Sequence, residues 1–359
     1  MQDVITGRLC KLRESFQAHE IDALLIMRPE NRRYMTGFTG SSGAALVSQG
    51  HAILLTDFRY IEQATGEAPE YRVVKHGVKM VDTLKEVVAE IGVANLGFES
   101  DVLTYKQHET FAAALEGTRL VPVEGAVEKL RMVKAEFEID KIRCAEALGD
   151  AAFSYILEVI KPGMTENELA LELEWFMRKN GAERVGFDVI VASGARGAMP
   201  HAGASGKQLA AGELVVLDLG AVVEGYRGDM TRTVSLGKAT AEQRKVYEIV
   251  LRAQEAALEG IAVGLKGEEA HAIAQKIIED AGYGDKFGHG LGHGVGLAVH
   301  EEPRLAPSST TELSPGMVVT VEPGIYVPGS FGVRIEDLVV IEETGIRNLT
   351  SSPKELIEI

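Results

Sequence analysis

The sequence predicts an α/β chain in two parts, a front domain of alternating strands and helices and a rear domain built from a duplicated α-α-β unit. Three observations carry this: the alternation between Ile21 and Val123, a helix-and-strand pattern in the rear that recurs about a hundred residues on, and a length of 359 residues, too long for one ordinary core. In the front, Asp22–Met27, Ala44–Ser48, Ala52–Thr56 and Tyr71–Lys75 read as short apolar strands, and Val81–Ile91 and Tyr105–Leu115 as helices. A boundary is expected near Pro122–Val127, dividing the chain into 1–124 and 125–359. Beyond it, Lys134–Ile160 reads as one long amphipathic helix, stopped by Lys161-Pro162-Gly163.

The rear repeats itself in register. Gly163-Met-Thr-Glu-Asn-Glu-Leu-Ala opens a helix that stops at Gly181, and Gly264-Leu-Lys-Gly-Glu-Glu-Ala-His opens one that stops at Gly282, both intervals being 18 residues. Gly212-Glu-Leu-Val-Val-Leu-Asp218 then parallels Gly316-Met-Val-Val-Thr-Val-Glu322, each an apolar strand with a carboxylate six residues after a glycine. A second acid follows in each half, Asp229 and Glu336, both on segments that read as strands, and a histidine precedes each pair, His201 and His300. Shifts of 104, 107 and 99 residues relate Asp218 to Glu322, Asp229 to Glu336 and His201 to His300. Two duplicated units related by a pseudo-twofold axis would bring the four acids face to face.

Composition bounds the partners. With 53 acidic against 37 basic residues and a net charge of −16, nucleic acid and anionic membrane surfaces are disfavoured. The amino-terminal segment lacks the apolar core of a signal peptide and no later run approaches a membrane span, so a cytoplasmic protein is the expectation. Cys10 and Cys144 form neither a disulfide framework nor a thiolate metal site.

The densest chemistry lies in His289-Gly-Leu-Gly-His293-Gly-Val-Gly-Leu-Ala-Val-His300-Glu301, where three of the nine histidines fall together and glycine holds every even position from 288 to 296. Glycines confined to even positions cannot supply the offsets of a G-x-G-x-x-G dinucleotide fingerprint. Such a run permits positive φ and close approach of other groups, which suits a strand threading a crowded site.

Four carboxylates at one place cannot all stay ionised without positive charge among them. A lone acid is more often an exposed or salt-bridged residue, but Asp218 and Glu322 sit on strands otherwise built for burial, where an unpartnered acid costs several kcal/mol. Two divalent cations resolve this for Asp218, Asp229, Glu322 and Glu336, with His293 at the centre of the glycine run as fifth ligand. An oxygen-rich set with a single imidazole suits Mn²⁺, Co²⁺ or Fe²⁺, with Zn²⁺ admissible. His201 and His300, paired by the repeat, are expected as flanking groups.

These residues, in this order and context, resemble the dinuclear metallopeptidases of the pita-bread fold, and within them the proline peptidases, aminopeptidase P and prolidase. Tyr34-Met-Thr-Gly-Phe-Thr-Gly-Ser-Ser-Gly and Thr56-Asp-Phe-Arg-Tyr60 are similar to the creatinase-like amino-terminal domain of those enzymes. The resemblance implies that Asp218 chelates one metal, that Asp229 and Glu336 bridge both, and that His293 and Glu322 hold the second. It further implies hydrolysis by a hydroxide bridging two divalent cations, Glu322 as general base, His201 and His300 beside the scissile carbonyl, and His289, Tyr326 and Arg334 around the substrate or the metals. The expected substrate is a peptide with proline at the second position, and the expected assembly a homodimer.

Methionine aminopeptidases share the five ligands but match only the rear half. A metal-free creatinase-like hydrolase or a non-catalytic scaffold of the same fold would be expected to lose ligands, and none is lost. No Gly-x-Ser-x-Gly elbow is present for a serine hydrolase. The front segments lean the reading toward an Xaa-Pro aminopeptidase, with a prolidase restricted to dipeptides as the alternative. The choice turns on whether a carboxylate clamp closes the pocket beyond proline.

Overall fold

The four front segments predicted as strands form four adjacent strands of a six-stranded sheet in the computed structural model, which describes residues 2–359. They are β1 (Ala23–Ile26), β2 (Ala44–Ser48), β3 (Ala52–Thr56) and β4 (Arg72–Lys75); β5 (Asn95–Glu99) and β6 (Arg119–Val123) complete the order β4-β3-β2-β1-β5-β6. Only β2 runs against its neighbours. Around the sheet lie α1 (Gln2–Glu14), α2 (Pro29–Thr36), α3 (Ile61–Glu67), α4 (Met80–Glu90) and α5 (Tyr105–Ala114), the last begun by a reciprocal Thr104–Gln107 capping box. The two front segments that carried the resemblance meet: the Tyr60 and Ser41 hydroxyls are 2.7 Å apart and Phe38 packs edge-on against Tyr60.

This unit extends to Arg131, seven residues past the expected boundary at 124. The reason is a buried polar knot at the end of β5. Glu99 accepts hydrogen bonds from the Met27 and Arg28 amides and from Asn31 Nδ2, at 2.6, 2.7 and 2.6 Å. Asn31 Oδ1 in turn accepts from Arg131 Nη1 at 2.7 Å, and Tyr34 donates to the Leu130 carbonyl. The short helix α6 (Glu128–Met132) is therefore tied to the front sheet.

The rear unit begins at Met132. Its first half holds α7 (Glu136–Val159), α8 (Glu166–Lys179), β7 (Arg184–Val185), β8 (Ile190–Ser193), β9 (Leu214–Leu219), β10 (Ala221–Val223), β11 (Tyr226–Arg227) and β12 (Met230–Ser235). Its second half holds α9 (Ala241–Gly260), α10 (Gly267–Asp280), β13 (Gly292–Gly294), β14 (Glu301–Leu305), β15 (Val318–Val321), β16 (Gly324–Val327), β17 (Phe331–Arg334), β18 (Asp337–Ile341) and β19 (Ile346–Asn348). The repeat is physical. Helices α8 and α10 are each 14 residues long and lie 101 positions apart, and the glycines that close them, Gly181 and Gly282, both take positive φ. Sheet β8-β9-β12 is matched by β13-β15-β18 inside the larger sheet β14-β13-β15-β18-β19. Each half buries its own apolar cluster, around Leu173, Val191 and Leu217 in the first and Val250, Ala274 and Val319 in the second.

The halves are joined where β12 meets the turn between β17 and β18. Glu336 donates its amide to the Thr231 carbonyl, Arg334 donates its own to Thr233 Oγ1, and Thr233 Oγ1 donates to the Arg334 carbonyl. Arg232 is 1 % exposed and donates to Asp337 Oδ1, Thr231 O, Ser352 O and Pro353 O at 2.8–2.9 Å. Without Arg232, Asp337 would keep Lys354 and Asn348 on Oδ2 but lose its partner on Oδ1, and the buried Ser352 and Pro353 carbonyls would lose their donor. Arg232→Met is expected to lower unfolding free energy by about 3–5 kcal/mol, read by denaturant melts; a loss below about 1 kcal/mol, the range of surface pairs, would contradict this account of the join.

Candidate metal centre

The ten residues singled out in the sequence all line one cavity of about 590 Å³ in the rear unit. Asp218 stands on β9 and pairs in register with Thr231 of β12. Glu322 follows β15 directly, its amide donating to the Leu291 carbonyl, and His293 lies on β13. Asp229 and Glu336 differ from the expectation that they lie within strands: Asp229 precedes β12, and Glu336 occupies the break between β17 and β18. The break arises because the Glu336 amide bonds across to Thr231 of the other half instead of continuing its own ladder.

Asp229, His293 and Glu336 bring ligand atoms within 4.8 Å of one another, all three buried. His293 Nε2 is 3.3 Å from Glu322 Oε1 and 3.7 Å from Asp229 Oδ2. His293 Nδ1 lies 3.1 Å from the Gly294 carbonyl, which can only accept, so Nδ1 carries the proton and Nε2 is turned to the acids. Thr320 Oγ1 accepts from the His293 amide and donates to Glu322 Oε1, both at 3.1 Å.

The glycines beside His293 act through space rather than through unusual backbone. None of Gly288, Gly290, Gly292, Gly294 and Gly296 takes a positive φ. A side chain on Gly292 would strike the Thr320 carbonyl and one on Gly294 the Glu302 carbonyl, so the ligand strand fits between its neighbours only when bare. Of the two properties expected of this run, close approach is the one in use.

Electrostatics shows what the acids lack. Burial pushes Asp229 and Glu336 far above the ordinary carboxylate range, and the neighbouring acids push them further. Asp218 is raised by burial despite Arg334, whose Nη2 donates to Asp218 Oδ2 at 2.5 Å. Its other oxygen, Oδ1, is buried without a hydrogen-bond partner. Burial also raises Glu322, but the hydrogen bond and charge of His293 outweigh it and hold that carboxyl at about 2. Buried acids raised toward protonation, an orphaned carboxylate oxygen and an imidazole oriented through Nδ1 are what a divalent cation site presents before its ions are counted. The donor set fits oxygen-preferring divalent metals.

The flanking residues divide into two kinds. His201 and His300 stand on the cavity rim, exposed as whole residues; the His300 ring lies 4.4 Å edge-on from that of His293, and partial desolvation on its cavity side together with His293 and Arg304 lowers it to about 4. His289 is neutral through burial: Nδ1 donates to the Gly290 carbonyl and Nε2 accepts from the Tyr326 hydroxyl at 2.9 Å. Arg334 is buried and donates to Asp218, Thr231, Tyr326 and the Pro200 carbonyl, which makes it a brace for the acids more than a hand for substrate.

Residues 140–343 match metallopeptidase family M24, and residues 8–133 match the creatinase/prolidase N-terminal domain. The chain belongs to metallopeptidase family M24. Its M24 fold is the pita-bread arrangement, here preceded by the creatinase-type domain. An Xaa-Pro dipeptidase of Pyrococcus furiosus is 39% identical over 350 residues, covering 98% of this chain and 99% of that one. The structure of an Xaa-Pro dipeptidase from Bacillus anthracis superposes with a TM-score of 0.97 at 45% identity, over 99% of this chain and 100% of the other. That of an X-Pro aminopeptidase from Thermotoga maritima MSB8 does so at 0.89 and 39% identity, over 96% and 100%. As an M24 member the chain is a hydrolase of the metallopeptidase class.

Several contributors were invisible in the sequence. Phe187, Asp188 and Arg304 line the M24 cavity from outside every motif. Thr231 and Thr320 steady Glu336 and Glu322 from ordinary strand positions, and Glu146 on α7 accepts the Asp229 amide at 2.9 Å. Burial pushes Glu146 up to about 8. Only an acid placed in an otherwise apolar helical stripe signals it.

A carboxyl raised in the fold binds its proton where the unfolded chain has released it, so stability falls as pH climbs toward the folded value. Up to about pH 7.5 the histidines lowered by burial, His271, His289 and His300, still titrate in the unfolded chain and offset part of this slope; above it they are neutral in both states. Chelator-treated protein is therefore expected to lose stability as pH rises from about 6.5 toward 8, where Glu146 titrates, most steeply above about pH 7.5. Added Mn²⁺ should reverse the slope, since ligation needs the ionised acids. Metal-free stability that is flat or rises over this window would be inconsistent with the electrostatics above.

Proposed function

We propose that this chain is a metal-dependent Xaa-Pro peptidase acting first on dipeptides. The observation that carries the dipeptide preference is Arg304, an exposed cation that lines the cavity with no ion-pair partner among the described residues. A guanidinium facing the cavity meets the one charge every dipeptide carries just beyond its second residue, the free carboxylate. The segments Thr36-Gly-Phe-Thr-Gly and Asp57-Phe-Arg-Tyr favour the aminopeptidase reading, and the likeness to the Thermotoga X-Pro aminopeptidase keeps it as the second.

In this reading Asp218, Asp229, His293, Glu322 and Glu336 would hold two divalent cations, Mn²⁺ by donor chemistry, with Asp229 and Glu336 the acids that could serve both. Bound there, such ions make hydroxide available near neutral pH and polarise the scissile carbonyl. Glu322, whose Oε1 accepts from Thr320 and lies beside the His293 ring, serves as the base, ionised when the cations are bound. It takes the proton of the attacking water and delivers it to the proline nitrogen as the C–N bond breaks and the C–O bond forms. His300, neutral at pH 7, donates N–H to the oxygen that gains charge, with His201 across the rim. Arg334 holds Asp218 in place, and Tyr326 with His289 forms a wall against which the proline ring packs. Because Xaa-Pro has no amide N–H, recognition falls to ring shape and to the carboxylate on Arg304.

Purified protein with Mn²⁺ is expected to cleave an Xaa-Pro dipeptide in preference to Xaa-Pro-Yaa and to the dipeptide amide, and to lose activity on chelation. Arg304→Met should raise KM for the dipeptide about 10- to 100-fold while moving the amide little, by the usual worth of a charged hydrogen bond. Equal use of dipeptide and tripeptide by both forms would favour the aminopeptidase; activity that survives complete chelation would remove the metal reading altogether. Glu322→Gln is expected to lower kcat by about 10²- to 10⁴-fold with the fold intact by circular dichroism. Near-normal turnover in that variant would remove Glu322 as the base.

A further inference from the structure

Beyond the first turn, two acids interrupt the buried stripe of α7, and neither belongs to the proposed ligand set. Ile142, Ala145, Gly149, Ala152, Phe153 and Ile156 line the stripe, with Glu146 and Asp150 one turn apart among them. Acids in such a place are costly without a task. Asp150 has an evident one: its two oxygens accept the amides and hydroxyls of Ser351 and Ser352, fastening the carboxy-terminal segment.

Glu146, 1 % exposed, reaches the other way. Its Oε2 accepts the Asp229 amide at 2.9 Å, and its Oε1 accepts the Thr350 hydroxyl at 2.6 Å. That hydroxyl itself accepts from the Leu338 amide at 2.8 Å, two residues beyond Glu336. On the far side the loop closes, because Thr231 Oγ1 donates to Glu336 Oε2 at 2.6 Å and Thr231 follows Asp229 by two residues. One side chain thus joins, from behind, the backbones that carry the two acids assigned as shared.

We propose that Glu146 is a positioning residue of the metal centre, setting the separation of Asp229 and Glu336. The proposal rests on the ligand reading given above. A second observation supports it independently: a side chain on Gly228 would come 2.7 Å from the Glu146 amide nitrogen and 2.8 Å from the Ala145 carbonyl carbon. The chain leading into Asp229 is pressed against α7 at this very turn. Acids that share two cations require placement to within about 0.5 Å, and Glu146 supplies the rear anchor for both.

The test is Mn²⁺ titration of the full-length, chelator-stripped protein by calorimetry, with kcat and KM measured beside it. Glu146→Gln, nearly the same shape, is expected to weaken Mn²⁺ binding about 10- to 100-fold and to lower kcat with KM little changed. Thr350→Val, which cuts only the Leu338 arm, should weaken it by a smaller factor and keeps the question open to measurement if Glu146→Gln folds poorly. Asp150→Asn, in the same stripe but without a link to Asp229, should lower the melting temperature and leave Mn²⁺ affinity unchanged. Unchanged affinity in Glu146→Gln or Thr350→Val, or an equal loss in Asp150→Asn, would overturn the proposal. A wild-type chain that takes up no Mn²⁺ would instead overturn the ligand reading beneath it.

Discussion

Like charge held out of water governs this molecule. Asp218, Asp229, Glu322 and Glu336 arrive in one buried place from two halves of a duplicated unit, and no arrangement of the chain alone lets all four ionise. Arg334 offsets part of the repulsion at Asp218 and His293 offsets part at Glu322, leaving Asp229 and Glu336 with each other. The residual repulsion is what divalent cations among these acids would relieve. It also explains why so much of the neighbouring polar structure consists of donors aimed at carboxylate oxygens.

The duplication was legible because it leaves carboxylates at matching distances from glycines, a pattern chance rarely makes. Asp218 and Glu322 read as buried acids because their flanking residues are Leu and Val. Asp229 and Glu336 read as strand residues for the same reason and proved to lie where strands end, since sheet pairing between the halves cannot be seen in a linear pattern. Arg304, Thr231, Thr320 and Glu146 went unseen because each is a single polar residue outside every motif, and a lone polar residue usually means solvent. Glu146 alone left a trace, as an acid inside the apolar period of α7.

His293 shows how a symmetric scaffold acquires an asymmetric site. Register places it opposite the position that Ala192 takes on β8, so the same strand in one half ends in a methyl group and in the other in an imidazole. The bare glycines around it are the steric condition for that exchange: with the Thr320 and Glu302 carbonyls at their backs, only an unadorned strand brings the ring to the acids. The first half has no comparable run, and of the five proposed ligands it contributes only the carboxylates Asp218 and Asp229.

The knot of Glu99, Asn31 and Arg131 at the end of the front sheet carries a practical meaning for modularity. A front domain severed at residue 124 would strip the acceptor from Tyr34 and the guanidinium from Asn31, leaving buried polar groups facing nothing. A front unit traded between relatives would have to travel with its residues up to Arg131. The portable module is thus defined by where its last buried amide is satisfied, not by where its last strand ends.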